Sequence, residues 1–457
     1  MPLILPGNVA SAIGGGYEVA NSCRFDGTSA YMSKTPGSDG DAQKFTTSCW
    51  FKKGLLAQDI RWLEMGDIIL YSGTNTIAMG NRGFSVFDVY TNSNFLMDVG
   101  AWYHAVWAVD TTQSTAANRA KIYLNGVLLT SDNVLSGSAS YMDQNANLEC
   151  NQQEVHRVGA ASTDAESEFD GYLAEFVHID GTQYAASDFG EFDEDSPTIW
   201  KPKDVSGLTF GTNGFYLDFK ASDNLGNDAN GGTDLTETNL AAVDQATDTP
   251  TNNFCTLNPL VGNLDASLVF SEGNLKVVTS VAGNAPSTFG VSSGKWYWEQ
   301  KVTSSNGYVA ICNDDGYNTA ASVSGSGSGS VGYFGSGEIF DEAGSAIGSL
   351  TTFTTNDIMG VHLNMDDGTI VWYKNGSIVS GSTYTFGTTG NGTLFGTAYP
   401  CWNGGGTAAR SAEFNFGGCS VSAISSGNAD ANGYGNFEYA VPSGVYALCT
   451  KNLAEYG

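Results

Sequence analysis

Bases are what this chain has least of: 19 Lys and Arg stand against 48 Asp and Glu, leaving a formal charge of −29. A surface of that sign repels nucleic acid and anionic lipid, and no basic patch or basic helix offsets it. Long apolar runs are also missing, so no segment reaches the length a membrane span needs. Histidine occurs only four times, and no C-x-x-C pair accompanies it, which excludes the common zinc-ligand spacings. There is no G-x-S-x-G elbow and no Walker loop, and Gly14-Gly15-Gly16 lacks the preceding strand of a dinucleotide fingerprint. The N-terminal run Met1-Pro2-Leu3-Ile4-Leu5-Pro6-Gly7 has no basic region and too short an apolar run for a signal peptide, so secretion by the usual route is not indicated.

What is present points to β-structure. Hydrophobic residues make up 41% and aromatics 12%, ample for buried cores, and 457 residues predict two or three domains. Glycine, at 58 residues, and abundant Ser, Thr and Asn supply many turns, the composition of short-stranded all-β folds. The eight cysteines are scattered, several inside strand-like runs such as Ser22-Cys23-Arg24-Phe25 and Ser48-Cys49-Trp50-Phe51. Reduced, buried thiols acting as small hydrophobes are the expectation there.

Residues 1–16 are apolar and Gly-rich without periodicity and read as an arm. From 17 to 200 the strands are short: Phe45 to Phe51, then Trp102 to Val109, which is large on both faces and so central to its sheet. A hairpin pivots on Asn125-Gly126, and Asp170 to Ile179 supplies a last strand. This order, with Arg24-Phe25-Asp26-Gly27-Thr28, Tyr31, Trp50, Trp102-Tyr103-His104, Ile122-Tyr123-Leu124-Asn125-Gly126 and Asp170-Gly171-Tyr172-Leu173-Ala174-Glu175-Phe176, resembles a concanavalin-A-like, laminin-G-type jelly roll.

Residues 201–257 turn polar and read as an extended connector packing along the domains, with Gly214 to Phe219 as one candidate strand. From 258 to 420 come Gly294-Lys295-Trp296-Tyr297-Trp298-Glu299, an alternating run Asp357 to Met365 turning at Asp367-Gly368, and Gly368 to Gly376 closing on Asn375-Gly376. With Phe414-Asn415-Phe416-Gly417 these resemble the SPRY family of β-sandwich interaction modules, a family that binds partners and performs no chemistry. The Gly/Ser run from Ser322 to Ser330 stands where a variable loop is expected. Residues 421–457 form a tail that packs on the second sandwich or on a neighbour. The expected fold is therefore all-β: two antiparallel jelly-roll-like β-sandwiches joined by an extended polar connector.

The arrangement as a whole, including Gly211 to Phe219, Asp248 to Phe254 and the ending Ser443-Gly444-Val445-Tyr446-Ala447-Leu448, resembles bacteriophage virion proteins of the tail-fibre type. That resemblance implies a non-enzymatic adhesion or structural protein on the particle surface, assembled in the host cytoplasm as a cyclic homo-oligomer, a trimer. Its partners would be other virion proteins and a host-surface glycan or protein, with no nucleic acid and no membrane insertion. Two alternatives are a secreted lectin or laminarinase-like enzyme, and a purely structural virion protein. No cofactor is expected beyond a Ca²⁺ of the sort some laminin-G-like domains carry, for which Asp26 and Asp170, with Asp39 and Asp41, are the available carboxylates.

A retaining glycosidase needs two carboxyl groups about 5–5.5 Å apart, and only Glu191, Asp193 and Asp195 are in phase for that. Ser196-Pro197 ends any strand there, so a solvated acidic loop is the better account. His104 and His178 read as satisfied core residues. For recognition, Tyr399, Trp402 and Asn403 beside a Gly-rich loop form the candidate glycan- or partner-binding group, an aromatic face framed by an amide. Trp62, Trp296, Trp298 and Trp372 are assigned to core or sheet surface.

Overall fold

The computed structural model describes residues 16–56, 59–92, 95–131, 135–161, 167–261, 267–280, 283–304, 307–317, 329–386, 396–404 and 410–457. Residues 1–15 of the expected arm lie outside this set, as do all but the last two residues of the Gly/Ser run and Gly405-Gly406. The described residues are overwhelmingly strand and turn, and the longest helix among them is the seven-residue Thr450–Tyr456. They divide into two compact units that meet in sequence between Thr251 and Asn252.

In the first unit an eight-stranded antiparallel sheet has Lys44–Lys53, flanked by Tyr103–Asp110 and Asp170–Asp180, at its middle. A seven-stranded sheet, centred on Ile60–Met65, packs against it. Alternation along Lys44–Lys53 sends Phe45, Cys49 and Phe51 into the core between the sheets, where they join Trp62, Trp107 and Val109. Its other face carries Trp50 and Lys52, which are equally covered. A strand buried on both faces reads as a continuous run of large residues, which is how the neighbouring Trp102 to Val109 segment reads in the sequence. The hairpin at Asn125-Gly126 has φ values of +46° and +81°, the left-handed pair that an Asn-Gly turn adopts most readily.

The cover on that second face is the stretch read as a connector, and here the expected boundary at 200 moves to 251. Phe215–Leu217 adds to Asp170–Asp180, Gln245–Ala246 to Ser22–Asp26, and Thr236–Thr238 to Tyr31–Lys34. Each short strand satisfies backbone groups that would otherwise be left at a sheet edge. The fastening is electrostatic. Asp248, 2% exposed, forms an ion pair of 2.8 Å with Lys52, 1% exposed, and accepts the Trp102 indole N–H at 2.9 Å. Asp244 pairs with Arg24 at 2.7 Å, and the Ser22 hydroxyl donates to the Asp248 carbonyl.

The second unit is also two sheets. In the nine-stranded sheet Lys295–Val302 lies between Arg410–Asn415 and Ile358–Asn364, and Tyr446–Ala447 from the tail joins it in parallel. The six-stranded sheet contains Gly283–Pro286, Tyr399–Gly404, Gly307–Cys312 and Ser330–Phe334. Trp296, Trp298 and Trp372 are all fully buried, and the Trp372 indole crosses to the Val309 carbonyl of the facing sheet at 3.1 Å. The tail covers the other face of Lys295–Val302: Phe437 packs edge-on to Tyr297, and Glu299 accepts the backbone N–H groups of Glu438 and Tyr439, each at 2.9 Å. All eight cysteines are buried as thiols, none in a disulfide.

Asp248→Ala should remove the carboxylate paired with the buried Lys52 ammonium and cost about 3–5 kcal/mol. Chemical denaturation of the chain should show this loss, and pairing Lys52→Met with Asp248→Leu should recover most of it. An Asp248→Ala chain as stable as the parent would show that this pair does not fasten the 201–251 stretch.

Candidate functional site

The three residues grouped as a binding face do not share one. Residues 399–404 form a strand rather than a loop margin, and period-two alternation separates Tyr399 from Trp402. Tyr399 and Cys401 pack in a small outer cluster with Tyr308 and Cys312. Trp402 is 1% exposed, its ring lying against Gly307 and Gly404 so closely that a Cβ on either would come within 2.7–2.8 Å of it. Asn403 is fully covered. Trp402 and Asn403 are therefore packing residues, and only Tyr399 remains at the surface.

Tyr399 has different neighbours from those expected. Its ring lies tilted at 42° against that of Tyr317, the centroids 4.3 Å apart, and its hydroxyl donates to the Asp314 carboxylate at 3.1 Å. The buried Asn258 amide donates to the Tyr317 hydroxyl at 2.7 Å. Tyr317 closes a single helical turn, Asp314–Tyr317, held by the Asn313 side chain on the Gly316 N–H and the Asn284 amide on the Gly316 carbonyl. Burial, and then the Asp314 charge, pushes the Tyr399 hydroxyl well above its usual range, so it stays a donor. Two half-buried tyrosines flanked by an exposed carboxylate form a fixed aromatic face with hydrogen-bonding groups at its rim. The sequence signal was Asp314-Asp315-Gly316-Tyr317, a turn with an aromatic at its end.

Asp26 and Asp170 do meet, as direct cross-strand partners. Asp26 is consumed by its own turn, accepting from the N–H groups of Thr28, Ser29 and Ala30 and from both hydroxyls, which holds its carboxyl down at about 2. Asp41 likewise accepts from Gln43 and Lys44. Among the described residues no group of three or more Asp, Glu, His or Cys could hold a metal ion. Ca²⁺ takes six to eight oxygens, and this pair with its turn does not assemble them.

The acidic run and the histidines have structural work. Asp193 accepts the N–H groups of Ser196 and Asp195, which lower its carboxyl pKa, and Lys201 lies 3.5 Å from both Asp193 and Glu191. The strand bearing Glu191 is only Gly190–Phe192. His104 accepts the Trp200 indole N–H on Nδ1 at 3.0 Å, so its proton sits on Nε2 and points to Ser48 Oγ at 2.8 Å. A ring in that tautomer donates to the serine and cannot take its proton. His178 donates from Nε2 to Asn151 and accepts from Thr47 on Nδ1. Burial pushes His104 down to about 3 and His178 well below its usual value.

Glu175 was not singled out in the sequence and is a buried ionisable group on strained backbone. It lies in a bulge of Asp170–Asp180 with φ of +47°, a region that costs a non-glycine residue on the order of 1–3 kcal/mol. It is 5% exposed and accepts from the hydroxyls of Tyr216 at 2.6 Å and Tyr17 at 3.1 Å. Burial raises its carboxyl to about 7. In the second unit a cleft of about 280 Å³ is lined by Glu299, Lys301, Glu413, Ser422 and Glu438. Lys301 donates to Ser422 and Ser422 to Glu413, so its polar groups largely answer one another.

Residues 295–418 match the family model described as SPRY domain. No curated protein matches the chain. Among solved structures it is similar to the SPRY domain of human HERC1, at 16% identity over 36% of this chain and 99% of that one, with a TM-score of 0.29. It is also similar to a putative carbohydrate binding protein from Bacteroides ovatus, at 14% identity over 49% of this chain and 61% of that one, with a TM-score of 0.34. A pentraxin from Limulus polyphemus matches at 11% identity over 36% of this chain and 78% of that one, with a TM-score of 0.26.

The raised Glu175 carboxyl sets a sign for pH dependence. A folded value above the usual 4.5 makes its contribution to stability full below about 4.5 and lost as pH rises through about 7. The stability of the parent relative to Glu175→Gln should fall between pH 4.5 and 8, by on the order of 3 kcal/mol. Thermal melting of both chains across that range checks it, and parallel curves would exclude it.

Proposed function

We propose that the chain is a non-enzymatic recognition protein, presenting two β-sandwich modules on the surface of a bacteriophage particle as a tail fibre, head fibre or capsid decoration. The observation that carries the recognition reading is the Tyr317–Tyr399 face, aromatic, fixed from below and rimmed by Asp314. Aromatic faces with a few placed hydrogen-bonding groups suit the C–H side of a sugar or a protein side chain. The SPRY domain match over 295–418 supports a binding module in that half. The committed tautomer of His104 and the structural use of Asp193 favour recognition over hydrolysis.

The particle-surface reading is supported by the motif arrangement along nearly the whole sequence. A charge of −29 also suits subunits displayed densely on one surface. A cyclic homo-oligomer, a trimer, would multiply weak single contacts through effective concentration. Host-surface glycan or protein and neighbouring virion proteins are the partners proposed.

Imaging of intact particles with an antibody to this chain should place label on tail or capsid, and unlabelled particles would reject the virion assignment. Tyr399→Ala should weaken binding to arrayed bacterial polysaccharides or host-surface protein about tenfold, the worth of one aromatic contact, while melting changes little. Unchanged binding would remove this face from the reading. Release of reducing ends during incubation would put the glycan-active enzyme ahead.

A further inference from the structure

The first unit carries a second exposed aromatic group, far in sequence from the tyrosine pair. Beyond Asp180 the chain makes a small hairpin, Gly190–Phe192 with Trp200–Pro202, that stands apart from both large sheets. It is pinned by Trp200. The indole donates to His104, and the ring lies flat on Gly126 and Gly190, where an added Cβ would come within 2.4 and 2.6 Å of it. Glycine at both positions is what lets the ring close onto the sheet.

Pinning Trp200 leaves Phe192 projecting, edge-on to the indole at 4.9 Å and 43% exposed. Beside it opens a cleft of about 390 Å³ lined by Tyr123, Phe192 and Trp200, with Ser187, Glu191 and Lys203 among the polar groups. That volume falls in the range of small-ligand sites, about 300–1,000 Å³. Its charge is balanced, one carboxylate against one ammonium, on a chain whose net charge is −29. An anionic polymer would meet the repulsion of the whole surface, and a cation would find no excess of carboxylates here. What the lining offers is an exposed aromatic ring edge-on to the pinned indole, an acceptor, an ammonium donor and a hydroxyl.

We infer that this cleft binds a neutral saccharide, one sugar ring lying on Phe192 with its hydroxyls meeting Glu191, Ser187 and Lys203. The inference rests on the recognition reading and gives the first unit its own ligand, independent of Tyr399.

The test is an array of neutral and uronic-acid-containing oligosaccharides probed with the full chain and three variants. Phe192→Ala removes the platform. Ser187→Trp fills the cleft from an exposed position without deleting a buried contact. Tyr399→Ala reports on the other unit. Neutral oligosaccharides should bind the parent, with both first-unit variants at least tenfold weaker than the parent and melting temperatures preserved. Neutral binding that survives both first-unit variants would overturn the assignment, as would retention of acidic sugars alone or of none. Loss confined to Tyr399→Ala would sink the cleft while leaving the recognition reading intact.

Discussion

Asp248 lies buried between an ammonium and an indole, and the order of the first unit depends on that placement. The large sheet has apolar and aromatic residues on both faces, so one sandwich partner is not enough to cover it. The stretch from Asp180 to Thr251 supplies the second cover. A polar chain gains little from hydrophobic burial, so it is fastened instead by buried charge: Lys52 with Asp248, and Arg24 with Asp244. Removing one partner from such a pair is costly because the other cannot return to water. Trp50, His104 and Trp200 share that covered face, and the hairpin that exposes Phe192 is anchored there.

The second unit covers its sheet differently. The tail 421–457 threads a two-residue parallel strand into the nine-stranded sheet and seats Phe437 on Tyr297. Asp430 binds this tail together, accepting from the backbone of Asn432, Tyr434 and Ala447 and from the Asn452 amide. In the first unit Asp193, His104 and His178 are held by neighbours in fixed roles. The aromatic groups that reach the surface include Tyr317 with Tyr399, and Phe192 with Tyr123.

Much of the fold was legible because β-structure writes local signals. Asn125-Gly126 and Asn375-Gly376 both form hairpins with left-handed φ at each position. Trp296 and Trp298, two residues apart, both fall into the core. The site was less legible. Tyr399, Trp402 and Asn403 are adjacent in sequence, and reading them as a loop kept them on one face; as a strand they divide. Tyr317 lies far from Tyr399 in the chain, and only the pairing of Gly307–Cys312 with Tyr399–Gly404 brings their rings together.

Sequence alone determined the all-β class, the aromatic composition of two cores and the turns that join their strands, since these follow from residue periodicity and local φ preferences. Tertiary structure alone decided which aromatics reach solvent, that residues 201–251 belong to the first sandwich, and that Glu175 is buried. Those outcomes depend on strand register and on long-range cover, and a shift of one residue in either would exchange the buried face for the exposed one.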